Sequence, residues 1–357
     1  MSPDPMQLSR RYVTRLVAAV GLIGLTCVAL LIPVPYVTMR PGPAFDTLGD
    51  FEGKPMFTFG DGVKTYPTSG TLDFTTVSVT RNESRLKTLD LIEAYFSDDT
   101  AVVPRALVYP DGQTAKQSKA ESAAQLDGSK DSSKVAALRA AGFEVGETPL
   151  VATVEKNGAA YGQLEVGDLI REVDGERVTS STQAADVIGG RKPGAKVTIT
   201  VTRKGKAESY ELTTKADDRD ASRSRIGIGV STRYSYPFEI DNNVGRSIGG
   251  PSAGTMFALA IYDRLTPGAL TGGLKIAGTG EMAADGKVGS IGGVQQKIAG
   301  AHRQGAKIFL VPSANCAEAV KGDTHGLKLV RITTLDDAIS SIEALAKDRS
   351  ATVPTCS

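Results

Sequence analysis

The sequence predicts an α+β fold of the mixed α/β kind, and three observations carry that reading. Strand-like and helix-like stretches are interspersed without the strict alternation of a doubly wound sheet. A β-rich module of different character interrupts them between residues 142 and 215. One uncharged apolar segment near the N-terminus approaches the length of a bilayer span. A chain of 357 residues has room for two or three domains and a substantial core.

The N-terminal segment comes first. Leu16 to Ile32 is almost wholly apolar, and Pro33 to Val37 extends it without charge, so residues 16–37 are expected to form one transmembrane helix. Arg10, Arg11 and Arg15 precede it, which predicts a cytoplasmic tail over residues 1–15 and an extracytoplasmic remainder. A cleaved signal peptide is the competing reading, but Val34-Pro35-Tyr36 is a poor small-x-small cleavage site.

Residues 38–141 open with a turn-rich exit, Arg40-Pro41-Gly42-Pro43-Ala44. Thr71 to Thr80 alternates and is β-branched, which predicts a strand, and Leu86 to Phe96 has helical spacing. From Asp111 to Lys134 the chain is rich in Ser, Lys, Gln, Asp and Ala, and a solvated loop or exposed helix is preferred there over a functional lid. Val135 to Ala141 reads as a short helix stopped by Gly142.

In the β-rich module, Val151 to Val154 is a strand and Asn157 to Ala160 a turn. Leu164-Glu165-Val166-Gly167-Asp168-Leu169-Ile170 leads into Val173-Asp174-Gly175, and Lys196 to Arg203 is an alternating strand. Ala216 to Arg225 reads as a hydrophilic linker returning to a core region of residues 216–350, with a tail at 351–357. That region is expected to run through strands at Ile226–Val230, Phe238–Ile240 and Ala269–Thr279. A buried strand at Lys307–Pro312 and a closing amphipathic helix at Leu335–Ala346 follow.

The chemistry concentrates in this last region. Ser247-Ile248-Gly249-Gly250-Pro251-Ser252-Ala253-Gly254 leads into an apolar run of helical length, with Pro251 expected in the first turn. Ser252 would then sit where unpaired backbone N–H groups converge and the helix dipole is positive, which favours an alkoxide and an oxyanion. A second glycine-led helix start, Ile291-Gly292-Gly293, places Lys297 in its first turn beside Val294, Ile298 and Ala299. An ordinary Lys titrates near 10.4, roughly, and both desolvation and a helix N-terminus lower that value toward the range of a general base. A Ser252/Lys297 dyad is therefore expected.

Gly250-Pro251-Ser252-Ala253-Gly254, Thr279-Gly280-Glu281, and Ile291-Gly292-Gly293 with Lys297 and Ala301-His302-Arg303 resemble the proteolytic domain of Lon proteases, over about Gly245 to Leu335. The resemblance implies that Ser252 is the nucleophile and Lys297 the base. Thr279 would hydrogen-bond the dyad, and Gly249 and Gly250 would support the oxyanion. Two departures stand out: Gly249-Gly250 where the family often has Asp-Gly, and Gln295 where it often has a lysine. The module at 142–215 resembles a PDZ domain of the bacterial protease type, which implies capture of an extended peptide by strand addition. Gly142-Phe143-Glu144-Val145 is the expected carboxylate-loop segment. Together these imply a Lon-type domain with an inserted PDZ domain behind one membrane helix: an extracytoplasmic serine endopeptidase acting on protein or peptide substrates. Lon-type rings further imply a homo-oligomer.

Composition narrows the classes. A net charge of +1 gives no support for nucleic-acid binding. Three cysteines, at 27, 316 and 356, fit neither a disulfide framework nor a zinc spacing, and Cys316 is expected to be a packed thiol. With only His302 and His325, an HExxH metalloprotease is excluded and a Ser-His-Asp triad disfavoured, so no metal or cofactor is expected. His302 is read as structural, and Asp285-Gly286 as a turn. The competing functions are a small-molecule kinase of the galactokinase–homoserine kinase type and a non-catalytic PDZ adaptor. No GxxxxGK[ST] occurs, so the expected hydrolysis does not need ATP.

Overall fold

The computed structural model describes residues 10–110, 112–245 and 247–357. The chain divides into two compact units, one made of the residues up to Ala141 together with Ile240–Ser357, the other of Gly142–Glu239.

The first unit is built on a six-stranded mixed sheet in the order Lys328–Ile332, Ile308–Pro312, Lys275–Gly278, Thr71–Val79, Tyr36–Asp46 and Ala101–Pro104. The first four strands are mutually parallel, and Tyr36–Asp46 runs antiparallel to its neighbours on both sides. Ile308 to Pro312 is buried at every position, as a parallel strand covered on both faces requires. Helices Gly254–Leu265 and Val294–Arg303 pack on this sheet. The first is almost wholly buried, with Phe257 edge-on to Phe74 and Phe57. The second presses its Gly300 onto the bulged Gly42 of strand Tyr36–Asp46, where a Cβ on Gly300 would lie 2.9 Å from the Gly42 carbonyl oxygen.

Several expectations are corrected here. The apolar helix runs Arg10–Leu31 rather than 16–37, because Pro33 and Pro35 cannot continue a helix. Pro33–Val34 instead pairs with Leu86–Lys87. The stretch read as a solvated loop or exposed helix belongs to one helix, Ala115–Ala140, that buries Leu126, Ser129 and Ser133 against Gly254–Leu265. Small side chains let two helix backbones approach closely without a large-apolar signal. Residues 351–357 are not a loose tail: Cys316 and Cys356 form a disulfide, Arg331 N–H donates to the Pro354 carbonyl and Cys356 N–H to the Leu329 carbonyl. Cys316 is thus no packed thiol. The pair was hidden because its members lie 40 residues apart and only the sheet brings them together. Replacing both by serine is expected to destabilise the unit by up to about 4 kcal/mol on loop-closure entropy, measured by denaturant unfolding with and without reductant.

The second unit is a six-stranded antiparallel sheet: Lys206–Thr213, Lys196–Arg203, Leu169–Val173, Gly146–Val154 and Ile228–Ser235 in that order, with short Glu176–Arg177 pairing Leu169–Val173 off this path and helix Ser181–Gly189 packed on it. Val151, Ile170, Val173, Val197, Ile199, Val201 and Ile226 form its core. Asp168 of the Gly-Asp motif is buried and holds Arg203 through both carboxylate oxygens, at 2.6 and 2.7 Å. The strand expected at Ile226–Val230 in the other unit is Ile228–Ser235, and it pairs here with Gly146–Val154, with a bulge between Gly229 and Val230. Local alternation specifies a strand but not the sheet that takes it.

Candidate active site

Ser252 lies just before helix Gly254–Leu265, whose N-cap is Ala253. Pro251 is therefore in the approach loop and not in the first turn. The loop is held from the side by helix Ala115–Ala140. Ser129 Oγ donates to the Pro251 carbonyl at 2.9 Å, Ser133 Oγ to the Gly254 carbonyl at 2.8 Å, and Gly250 N–H to the Ser122 carbonyl at 3.0 Å. The Ser252 carbonyl accepts from Gly280 N–H at 2.9 Å and from Thr279 Oγ at 3.0 Å. These bonds fix the Ser252 backbone while leaving the residue half-exposed.

Lys297 comes from the other helix, whose N-cap Gly293 has the left-handed φ of +69°. That conformation suits glycine, and it turns the chain sharply into Val294–Arg303. Lys297 is 2 % exposed, and its Nζ stands 2.7 Å from Ser252 Oγ and donates to Thr279 Oγ at 2.9 Å. Burial pushes the lysine pKa down to about 7, against a smaller upward pull from Glu281. An amine at that value is neutral for much of the time near neutral pH and can accept the serine proton. Thr279, fully buried, bridges the two: it accepts from the lysine and donates to the serine's own backbone. Thr279→Val keeps the shape but removes both bonds, so kcat is expected to fall about tenfold with KM little changed, checked by steady-state kinetics on a short peptide.

A cleft of about 260 Å³ opens onto this pair, lined by Pro43, Thr75, Val77, Ile248, Gly249 and Ser252 among others. Strand Thr71–Val79 runs along it. Its parallel neighbour Lys275–Gly278 pairs only as far as Phe74, so the edge of Thr75–Val79 on that side lacks a strand partner among the described residues.

Ser252, Lys297, Thr279, Gly249 and Gly250 are thus brought to one place, with a qualification for Gly250. Its N–H is already bonded to Ser122, leaving the amides of Gly249 and Ser252 as the candidates for holding an oxyanion. His302 stacks on His325 at 5.0 Å, and Asp285 pairs with Lys287 in a turn. Ser122, Ser129 and Ser133 carried no sequence signal, since serines in a polar run look solvated.

The comparisons with known proteins follow this geometry. Residues 246–343 match the Lon protease (S16) C-terminal proteolytic domain. The chain carries a Lon-type proteolytic domain. Residues 124–214 match the PDZ domain family, a span that starts inside helix Ala115–Ala140 and stops before strand Ile228–Ser235. The Lon protease of Mesomycoplasma hyopneumoniae is 31% identical over 161 residues, which is 41% of this chain and 18% of that protein. A probable periplasmic DegP-like serine endoprotease of Pseudomonas fluorescens is 38% identical over 103 residues, 25% of this chain and 22% of that protein. The chain thus spans about a fifth of these relatives' length. Among solved structures, the PDZ domain of the SdrC-like protein from Listeria innocua is similar, at 32% identity and a TM-score of 0.22, covering 23% of this chain and 92% of that one. The Lon-type domain accounts for the serine and lysine starts. The PDZ module's outer strand, Ile228–Ser235, lies beside helix Ser181–Gly189, with Thr232 Oγ bonded to Ser181 Oγ at 3.0 Å. The outer edge of that strand has no strand partner among the described residues, and Gly142–Val145 forms no strand. Phe143 is instead packed edge-on to Phe238. The missed signal was Ile226-Gly227-Ile228-Gly229, read as part of the other sheet.

Proposed function

We propose that the chain is a membrane-anchored serine endopeptidase that hydrolyses peptide bonds of extracytoplasmic proteins with a Ser252/Lys297 dyad. The observation that carries this is the 2.7 Å approach of a buried lysine amine to the half-exposed serine hydroxyl. A substrate segment lies extended along Thr75–Ser78, which presents its scissile carbonyl to Ser252 Oγ. The oxygen attacks the carbonyl carbon while neutral Lys297 Nζ takes the hydroxyl proton. The amides of Gly249 and Ser252 hold the resulting oxyanion. The lysine then hands the proton to the leaving amine, and water, deprotonated by the same amine, releases the acyl group. No metal or nucleotide takes part in these steps.

The PDZ module captures an extended peptide, substrate or regulator, at the Ile228–Ser235 edge. Helix Arg10–Leu31 anchors the chain, with the preceding arginines on the cytoplasmic side. A disulfide in the catalytic unit supports an oxidising compartment.

A fluorophosphonate probe tests the core of the reading. It should label the wild-type chain at Ser252 and leave Ser252→Ala unlabelled; equal labelling of both would refute it. For the anchor, protease added to intact spheroplasts should digest a C-terminal tag, and full protection of the tag would reverse the topology.

A further inference from the structure

The strongest unassigned feature lies where the apolar helix ends. Helix Arg10–Leu31 has 22 residues, about 33 Å of rise, which matches the hydrocarbon thickness of a bilayer. The chain segment that leaves it, Ile32 to Tyr36, is not free. Thr88 N–H and Oγ both donate to the Ile32 carbonyl, Pro33 and Val34 pair with Lys87 and Leu86, and Arg105 N–H donates to the Pro35 carbonyl at 3.0 Å. Two short helices, Thr88–Tyr95 and Arg105–Val108, therefore hang directly from the end of the span.

These helices turn large apolar groups outward. Leu89, Ile92 and Phe96 recur at i, i+3 and i+7, which is one helix face, while Ala94 is buried. Tyr95 and Phe96 are each 79% exposed and stack edge-on; Leu107 on the other helix is 77% exposed. Tyr36, on the exit segment itself, is partly exposed as well. Such a cluster in water would be an association liability. Backbone bonds to residues 32–35 instead hold it at the depth where a spanning helix meets the headgroups, and there aromatic and aliphatic side chains are favoured.

We infer that Leu89, Ile92, Tyr95, Phe96 and Leu107 form a lipid-binding surface that seats the catalytic unit on the headgroup–acyl boundary of its own membrane. Helix Thr88–Tyr95 packs against the span, and the inference rests on the reading of Arg10–Leu31 as an anchor. It makes the catalytic unit a body docked on the bilayer and not one tethered at the end of a flexible stalk.

The chain contains no tryptophan, so single tryptophans report cleanly. The full chain, reconstituted in phosphatidylcholine–phosphatidylglycerol vesicles, would carry Leu22→Trp in the span, Phe96→Trp or Leu107→Trp on the surface, or Tyr161→Trp in the PDZ module. Brominated phosphatidylcholine should quench the Phe96 and Leu107 reporters to a degree comparable with the Leu22 reporter, and aqueous iodide should quench them less than the Tyr161 reporter. If Leu22→Trp is quenched while Phe96→Trp and Leu107→Trp stay as bright in brominated as in ordinary lipid, the anchor stands and the docking surface is overturned. Shielding of both surface reporters from iodide without quenching by lipid also overturns it, because a second copy of the chain then covers the patch. Absence of quenching at Leu22 overturns the anchor reading itself, and the inference with it.

Discussion

Ser252→Ala is expected to lower peptide hydrolysis by on the order of 10⁴-fold or more without loss of fold. The fold should survive because the serine's structural bonds run through its backbone. Its carbonyl serves Thr279 and Gly280, and alanine keeps that carbonyl. Activity should not survive, because the hydroxyls bonded to Lys297 Nζ among the described residues are those of Ser252 and Thr279. The Thr279 hydroxyl is fully buried and engaged with both Lys297 and the Ser252 carbonyl, and Cys316 is locked in a disulfide. Single-turnover kinetics on a quenched fluorescent peptide, beside a thermal melt, measures both halves. A folded Ser252→Ala chain that still turns over peptide would remove the serine from the mechanism.

The second large effect is at Lys297. Lys297→Met should abolish activity to a similar degree while leaving stability unchanged or raised, since an amine in this 2 % exposed site is poorly solvated. Lys297→Arg should be equally inactive, because a guanidinium is not deprotonated in proteins. The wild-type pH profile follows from the same burial. The charged amine is inactive and the neutral amine active. With the lysine pushed down to about 7, kcat/KM should rise with pH through that region and level off above it. A flat profile across pH 6–8, or near-normal turnover in Lys297→Met, would assign the base elsewhere.

How much of this was legible from residues depends on the kind of signal each element carried. Ser252 and Lys297, which the fold brings within 2.7 Å, stood out because glycine and proline mark the sharp entries to two helices. The buried strand Ile308–Pro312 was readable from its continuous apolar run. The burial of helix Ala115–Ala140 was not, since its buried face includes Ser129, Ser133, Ala136 and Ala137, and hydropathy cannot separate a small packed face from a solvated one. That helix positions the catalytic loop through Ser122, Ser129 and Ser133, so part of the site was invisible for the same reason. Strand Ile228–Ser235 was recognised only in its first residues, as Ile226–Val230, and was assigned to the wrong sheet. Its partner Gly146–Val154 lies some 80 residues earlier, and only the folded topology decides the pairing. The Cys316–Cys356 pair failed likewise, as spacing alone does not reveal which cysteines meet.

The docked C-terminal residues have a consequence for the chain's handling under reducing conditions. Strand Lys328–Ile332 is the last in its sheet, and such an edge offers a row of open hydrogen-bonding groups to any other extended chain. Residues Pro354 to Cys356 cover part of that row, with Val330 facing Thr355 in a bridge, and the disulfide clamps the cover in place. Made in a reducing cytoplasm, the chain would hold this cover by a few backbone bonds alone. The edge would then open often enough to recruit other copies strand to strand. The reduced chain is therefore expected to aggregate more readily than the oxidised one, as light scattering with and without reductant would show.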